Sequence, residues 1–341
     1  MSTVRENIPI YVAHRPSYPA SLWALCRTYH RGCFTSIHDI GSGSGNAVES
    51  LLSYQNSNPK PSFVILTDPK DWFFTEVRDH LVSSFPGTTF AFRLARAEDP
   101  WDMPLGLKHV DFAMACQSLH WTLIEDAITN VGAHLRPGGT FVAVVYHPLP
   151  ILVAKDHLDG YGNTTNGQLL PIKKAAIEAT AALRQLVEDH IAHLLAENWM
   201  NEEWRRLTCQ LYRGLEDIAL PASDWEDVKL VKSNCRGDWW CPNACIPMME
   251  QAHINGKGES AGKGPFATVN CAEIPYDGEW RREACLPWIK KMLLFLGLQF
   301  SEVSWESESW KRLADVLNIS NGGLVVEWPV HVLLARRRAL H

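Results

Sequence analysis

Long apolar runs, an excess of basic charge, paired cysteine knuckles and internal repeats are all missing from this 341-residue chain. No stretch approaches the ~18 consecutive apolar residues of a membrane-spanning helix, and the opening lacks a basic region followed by an apolar core. Neither membrane insertion nor secretion is therefore expected, and a cytoplasmic location follows by default. A net charge of −6 offers no basic face to a phosphate backbone, which argues against nucleic acid as a partner. The nine cysteines are odd in number and irregularly spaced, so they read as reduced thiols rather than a disulfide framework. The densest group, Cys235, Cys241 and Cys245, lacks C-x-x-C pairs, and no metal is expected there.

What is present is an ordinary globular composition, 46% apolar, in a chain longer than one compact core usually needs. One main domain with an insertion is the simplest reading. The stretch HDIGSGSGNAVESLL at 38–52 reads as strand, tight turn and helix, with Ala47, Val48, Leu51 and Leu52 at helical spacing. SFVILTD, ending on Asp68, reads as a second strand; TTFAFRLARAED as a third; and VDFAMAC as a fourth, apolar enough to be covered on both faces. A helix over 124–135 is expected to stop at LRPGG, whose glycines turn the chain into a fifth strand, TFVAVVY. Strands alternating with helices imply an α/β fold with a doubly wound, mainly parallel sheet. After His147 the pattern changes to a long helical stretch over 169–199 and then to irregular, tryptophan-rich sequence. A helix over 288–296 and two strand-like segments in GLVVEWPVHVLLARRR close the chain. The expected division is a core of residues 1–150 plus 285–341, with 151–284 inserted as a largely helical lid.

In such a sheet a ligand sits beyond the carboxyl ends of the strands. Gly41, Gly43 and Gly45 fall there; glycine tolerates positive φ and lets a ligand touch backbone, and the helix start offers free N–H groups. A dinucleotide site begins similarly, and Asp68 at the second strand end would hold a ribose diol in either case. Asp39, directly before the turn, would repel a pyrophosphate but suit a cation, and the third glycine is one position early for G-x-G-x-x-G. These residues favour S-adenosylmethionine, which carries an ammonium, a sulfonium, a ribose and an adenine but no phosphate.

The motifs DIGSGSG at 39–45, LTDP at 66–69, ARAEDP at 95–100, VDFAMACQSLHW at 110–121 and LRPGGTF at 135–141, in that order, resemble those of class I S-adenosylmethionine-dependent methyltransferases. Within them the chain is most similar to the trans-aconitate methyltransferase-like (methyltransferase type 11) group of fungi, through Q-x-x-H-W at Gln117, His120 and Trp121 and YVAHRPSYP at 11–19. The resemblance implies a Rossmann-like fold with a seven-stranded sheet. It also implies that Asp39, Gly41, Gly43 and Gly45 line the methionine end of the cofactor, Asp68 binds the ribose, Ala97 and Glu98 lie beside the adenine, and Gln117 stands near the sulfonium. Tyr11, Arg15 and Tyr18 would form a cap, with Tyr18 reaching the substrate. Relatives place an aspartate just before the Ala-Glu pair where this chain has Arg96, which leaves the adenine amine to Glu98, Asp99 or a backbone carbonyl.

Methyl transfer is an in-line displacement at an activated carbon, so the protein mainly aligns the reactants and excludes water. A carboxylate acceptor needs no base, whereas a hydroxyl would be helped by a histidine. His120 is the candidate catalytic residue, either as that base or as a structural histidine. Trp121, His147 and Trp239 are candidate substrate contacts, the tryptophans as walls of an apolar pocket. The expected function is methylation of a small molecule, on a carboxylate or hydroxyl oxygen, in fungal secondary metabolism, by a monomer or homodimer. Two other readings stay open: a cofactor-binding relative that catalyses cyclisation or isomerisation, and a binding protein without turnover.

Overall fold

The computed structural model describes residues 12–54, 60–155, 171–235, 266–274, 276–296 and 298–339. Tyr11 and Trp239, with Arg236, Trp240, Cys241 and Cys245, lie outside the described residues.

After a helix α1 (Ala20–Tyr29), strand β1 (Ser36–Ile40) leads through the glycine turn into α2 (Asn46–Ser53). Strand β2 (Phe63–Asp68), helix α3 (Asp71–Ser84), β3 (Thr89–Leu94), β4 (Val110–Cys116), α4 (Ile124–His134) and β5 (Leu135–Tyr146) follow. All seven residues of β4 are buried, as its unbroken apolar sequence requires of a strand covered on both faces. Strand β5 is paired from Leu135, yet LRPGG still turns the chain after the helix, with Gly138 at φ 78° and regular pairing to β4 resuming at Thr140. Its extra length is absorbed by a register shift against β4 between Val110 and Phe112.

Next come β6 (Ile151–Ala154), α5 (Pro171–Ala196), α6 (Glu202–Arg213), β7 (Trp225–Ser233), β8 (Asn270–Ile274) and β9 (Arg281–Glu283). The chain closes with α7 (Leu286–Leu294), α8 (Glu308–Ser320), β10 (Leu324–Glu327) and β11 (Val330–Arg337). The main sheet runs β3-β2-β1-β4-β5-β11-β7-β8, with β11 antiparallel to both neighbours and the other pairs parallel. It is therefore doubly wound and mainly parallel, but among the described residues it has eight strands rather than seven, because β8 adds a strand beside β7.

The expected division at residue 284 needs correction. Strand β7 comes from the supposed lid, yet it pairs with β11 inside the main sheet, and Val228, Leu230 and Val231 are buried there. Residues beyond 285 in turn contribute outside the sheet: β10 pairs with β6 and β9 in a separate antiparallel sheet, and α8 packs on α5. On α5 the buried positions Ala176, Ala179, Leu183, Leu186 and Val187 form one stripe.

The two faces of the main sheet carry separate cores. Ile37, Leu66, Met114 and Val144 pack with Trp23 and Cys26 of α1 and with Val48 and Leu51 of α2. Ile65, Ala113, Phe141 and Ala143 pack on the opposite face with Ala127, Ile128 and Val131 of α4. Order reverses between β1 and β4, which opens a crevice at their carboxyl ends.

Candidate functional site

The crevice is built from the turn after β1 and the loop after β4. Gly41, Gly43 and Gly45 all have positive φ (63°, 50° and 75°). Each is glycine for a different reason. A Cβ on Gly41 would stand 2.5 Å from the Ser118 Cβ, across the crevice floor. One on Gly45 would stand 3.2 Å from Val77 and crowd α3 against α2. At Gly43 the nearest atom is a ring carbon of Phe73 at 3.9 Å, so the backbone there borders open space. The turn is fastened to β2 by a bond from the Ser42 N–H to the Thr67 carbonyl (3.0 Å), and Gly45 caps α2.

Asp68 ends β2 beneath this turn. One carboxylate oxygen accepts the Gly43 N–H (3.0 Å) and the other the Lys70 N–H (2.9 Å). Each oxygen keeps a second lone pair, so the group can still take two hydroxyl donors. Burial raises its pKa, while the two N–H bonds pull the other way. Asp39 is 1% exposed, and its Oδ2 has no hydrogen-bond partner among the described residues. Burial, aided by the Asp68 charge, pushes its carboxyl up to about 8.

The loop after β4 supplies Gln117, whose φ of 54° is strained for a residue with a side chain. Its N–H donates to Val144 (2.8 Å) and its Nε2 to the Tyr146 carbonyl (2.7 Å), which aims the amide; the Oε1 is buried without a partner. Ser118 Oγ donates to the Ile40 carbonyl (2.5 Å) and so ties β4 to β1 across the point where strand order reverses. His120 follows on a short helical turn at Leu119–Trp121, is 7% exposed, and has an Nδ1 without a partner. Burial, then the Arg15 charge, pushes its pKa down to about 3, so the ring is neutral across the physiological range.

Arg15 is held at the crevice mouth by a bond from its Nη2 to the Phe295 carbonyl (2.9 Å). The segment before it docks on α7: Trp288 Nε1 and Arg282 donate to the Ala13 carbonyl (3.3 and 2.7 Å), and His14 stacks on Trp288. Tyr18 lies in an aromatic cluster with Tyr146 at the end of β5 and Trp280, ring centroids 6.3 to 6.4 Å apart. Ala97 and Glu98 bond to the chain just beyond the loop after β4. The Ala97 carbonyl accepts from Asn130, and Glu98 accepts the Leu123 N–H (3.3 Å) with Arg96 3.8 Å away.

Two candidates pack against α6. Trp121 is 46% exposed and packs edge-on with Trp204 of α6, which in turn lies at a tilt against Trp199. His147 is buried; its Nδ1 is engaged by Leu149 backbone and its ring packs on Tyr212 of α6, so it shapes the turn after β5. Tyr146, Ser118 and Trp280 belong to the site yet escape a sequence reading. Tyr146 and Ser118 lie within two residues of candidates, so strand-end position was their available signal.

The methyltransferase domain family matches residues 38–143. Among curated relatives, a methyltransferase of Claviceps purpurea is 32% identical over 139 residues, and methyltransferase tpcM of Aspergillus fumigatus is 32% identical over 143. Both matches cover 40% of this chain, and the chain spans only 40% of the length of either relative. Methyltransferase pgmE of Aspergillus terreus aligns over 96% of this chain and 92% of its own length at 24% identity. The strand order from β3 to β5, the left-handed glycine turn and the crevice at β1 and β4 all fall within or border the residues, 38–143, that match the methyltransferase domain family.

Proposed function

We propose that the protein is an S-adenosylmethionine-dependent methyltransferase that modifies an oxygen of a small molecule, a carboxylate in first place. The observation that carries the reading is the pairing of an open, left-handed glycine turn with two buried acceptors, Asp39 Oδ2 and Gln117 Oε1, that have no partner of their own. Such acceptors suit a group bringing donors and positive charge, as the methionine end of this cofactor does. Asp68 has lone pairs left for the ribose hydroxyls, and Ala97 and Glu98 border the loop where an adenine would lie. Bound there, the cofactor supplies a methyl group on a sulfonium.

The rest is done by the chain. Arg15, anchored on Phe295, and Tyr18 close the mouth, and the Tyr18–Tyr146–Trp280 cluster keeps that end dry. His120, neutral and buried, serves as a hydrogen-bonding group that orients the acceptor. A histidine that binds a proton only near pH 3 is a poor store for one released at neutral pH, which favours an acceptor that arrives ionised. The fungal relatives bear the name methyltransferase, and a role in secondary metabolism is proposed by analogy with them.

Incubating the protein with methyl-labelled cofactor and a panel of carboxylic acids, phenols and alcohols tests this. Label should pass to an acid as an ester. Conversion of a substrate with the label left on the cofactor would instead point to cyclisation or isomerisation.

A further inference from the structure

Asp39 and Asp68 are neighbouring carboxyls at adjacent strand ends, both nearly sealed from solvent, at 1% and 6% exposure. The backbone donors of the turn are not shared between them. Asp68 accepts from both Gly43 and Lys70, whereas Asp39 Oδ2 accepts from nothing. Among the described residues, the titratable groups around Asp39 are Asp68 from β2 and Cys116 from β4, with Cys26 of α1 next to Cys116. None of them is a cation, and Lys70 acts on Asp68. Two anions so placed would repel each other in a medium of low polarity, and the one with hydrogen bonds keeps its charge.

Given the cofactor assigned above, we propose that Asp39 holds a proton in the free protein and gives it up as the pocket fills with the cofactor's cationic end, so that cofactor capture releases a proton. The Asp39 O–H bond breaks, the proton goes to the buffer, and the carboxylate formed accepts from the ammonium. The direction of the Asp39 shift, upward through burial and through Asp68, agrees with this arrangement. A free α-amino group titrates at about 7.7–8.0, so between pH 6 and 7 the ligand is already protonated and contributes little to the proton count.

Calorimetric titration of S-adenosylmethionine into the full chain at pH 6.5, in buffers of different ionisation enthalpy, measures that count. The expected result is close to one proton released per cofactor bound, with affinity rising about tenfold from pH 6 to pH 7. Asp39→Asn should bind without proton release and without that pH dependence. If this variant does not fold, infrared spectra of the wild-type protein decide instead: a carboxylic-acid carbonyl band should be present in the free protein and vanish when cofactor is added. Buffer-independent heats, an Asp39→Asn variant that still releases the proton, or a band that persists would overturn the coupling while leaving cofactor binding intact. Absence of any binding heat would overturn both.

Discussion

Gly41 and Gly43 share a left-handed backbone but not an environment, and the two should answer differently to the same substitution. Gly41→Ala forces a Cβ to within 2.5 Å of Ser118 on top of an unfavourable φ, and should cost roughly 3 kcal/mol of stability, read by denaturant unfolding. Gly43→Ala makes only an ordinary contact with the Phe73 ring at 3.9 Å, so its stability cost should be about 1 kcal/mol, from the positive φ alone, while cofactor affinity should fall as the strained turn shifts its backbone. At His120, replacement by Asn should leave cofactor affinity in place and lower turnover. Because burial keeps this ring neutral down to about pH 3, the wild-type rate profile should show no limb from His120 between pH 5 and 8. A limb near 6.5 that the variant abolishes would restore the base role.

At the scale of elements, the small sheet carries a buried ion pair. Glu327 on β10 is fully buried and lies opposite Arg281 on β9, with both Nε and Nη2 of the guanidinium 2.6 Å from one carboxylate oxygen. Arg281→Ala leaves that carboxylate buried without its cation and should cost about 3–5 kcal/mol; pairing it with Glu327→Leu should recover much of the loss in thermal unfolding.

The elements also show what could be read without coordinates. The turn after β1 and strands β1, β2 and β4 were legible because each is short, local and strongly patterned. Strand β7 was not: WEDVKLVKS is only half apolar, and its place in the sheet is decided by β11, about a hundred residues further on. Helix α6 did carry a signal. Asn201 accepts the Trp204 N–H as a cap, two glutamates fill the first turn, and Gly214 ends the helix at φ 65°. Trp199 and Trp204 prove to be packed partly on each other, which is why they say little about substrate.

Across the whole molecule, buried titratable groups set opposing pH dependences. His38, His120 and His331 are held near pH 3 by burial, below the ~6.5 of an exposed histidine, so the unfolded chain binds more protons between those limits and stability falls as pH drops through that window. Asp39 acts in the other sense. Its folded pKa of about 8 exceeds the unfolded value, so its contribution is present in acid and is lost as pH rises from about 4 to 8. Thermal unfolding without cofactor should therefore show the steepest loss below pH 6, and added cofactor should flatten the decline on the alkaline side.

The central claim is that the crevice between β1 and β4 holds S-adenosylmethionine through the glycine turn and Asp68. Calorimetry of this ligand with the wild-type chain and with Asp68→Ala tests it most directly. The account predicts clear binding that weakens at least about a hundredfold in the variant, the loss of two hydrogen bonds to a charged group. Equal affinity in the two proteins, or no heat for this ligand where a nicotinamide dinucleotide titrates cleanly, would contradict it.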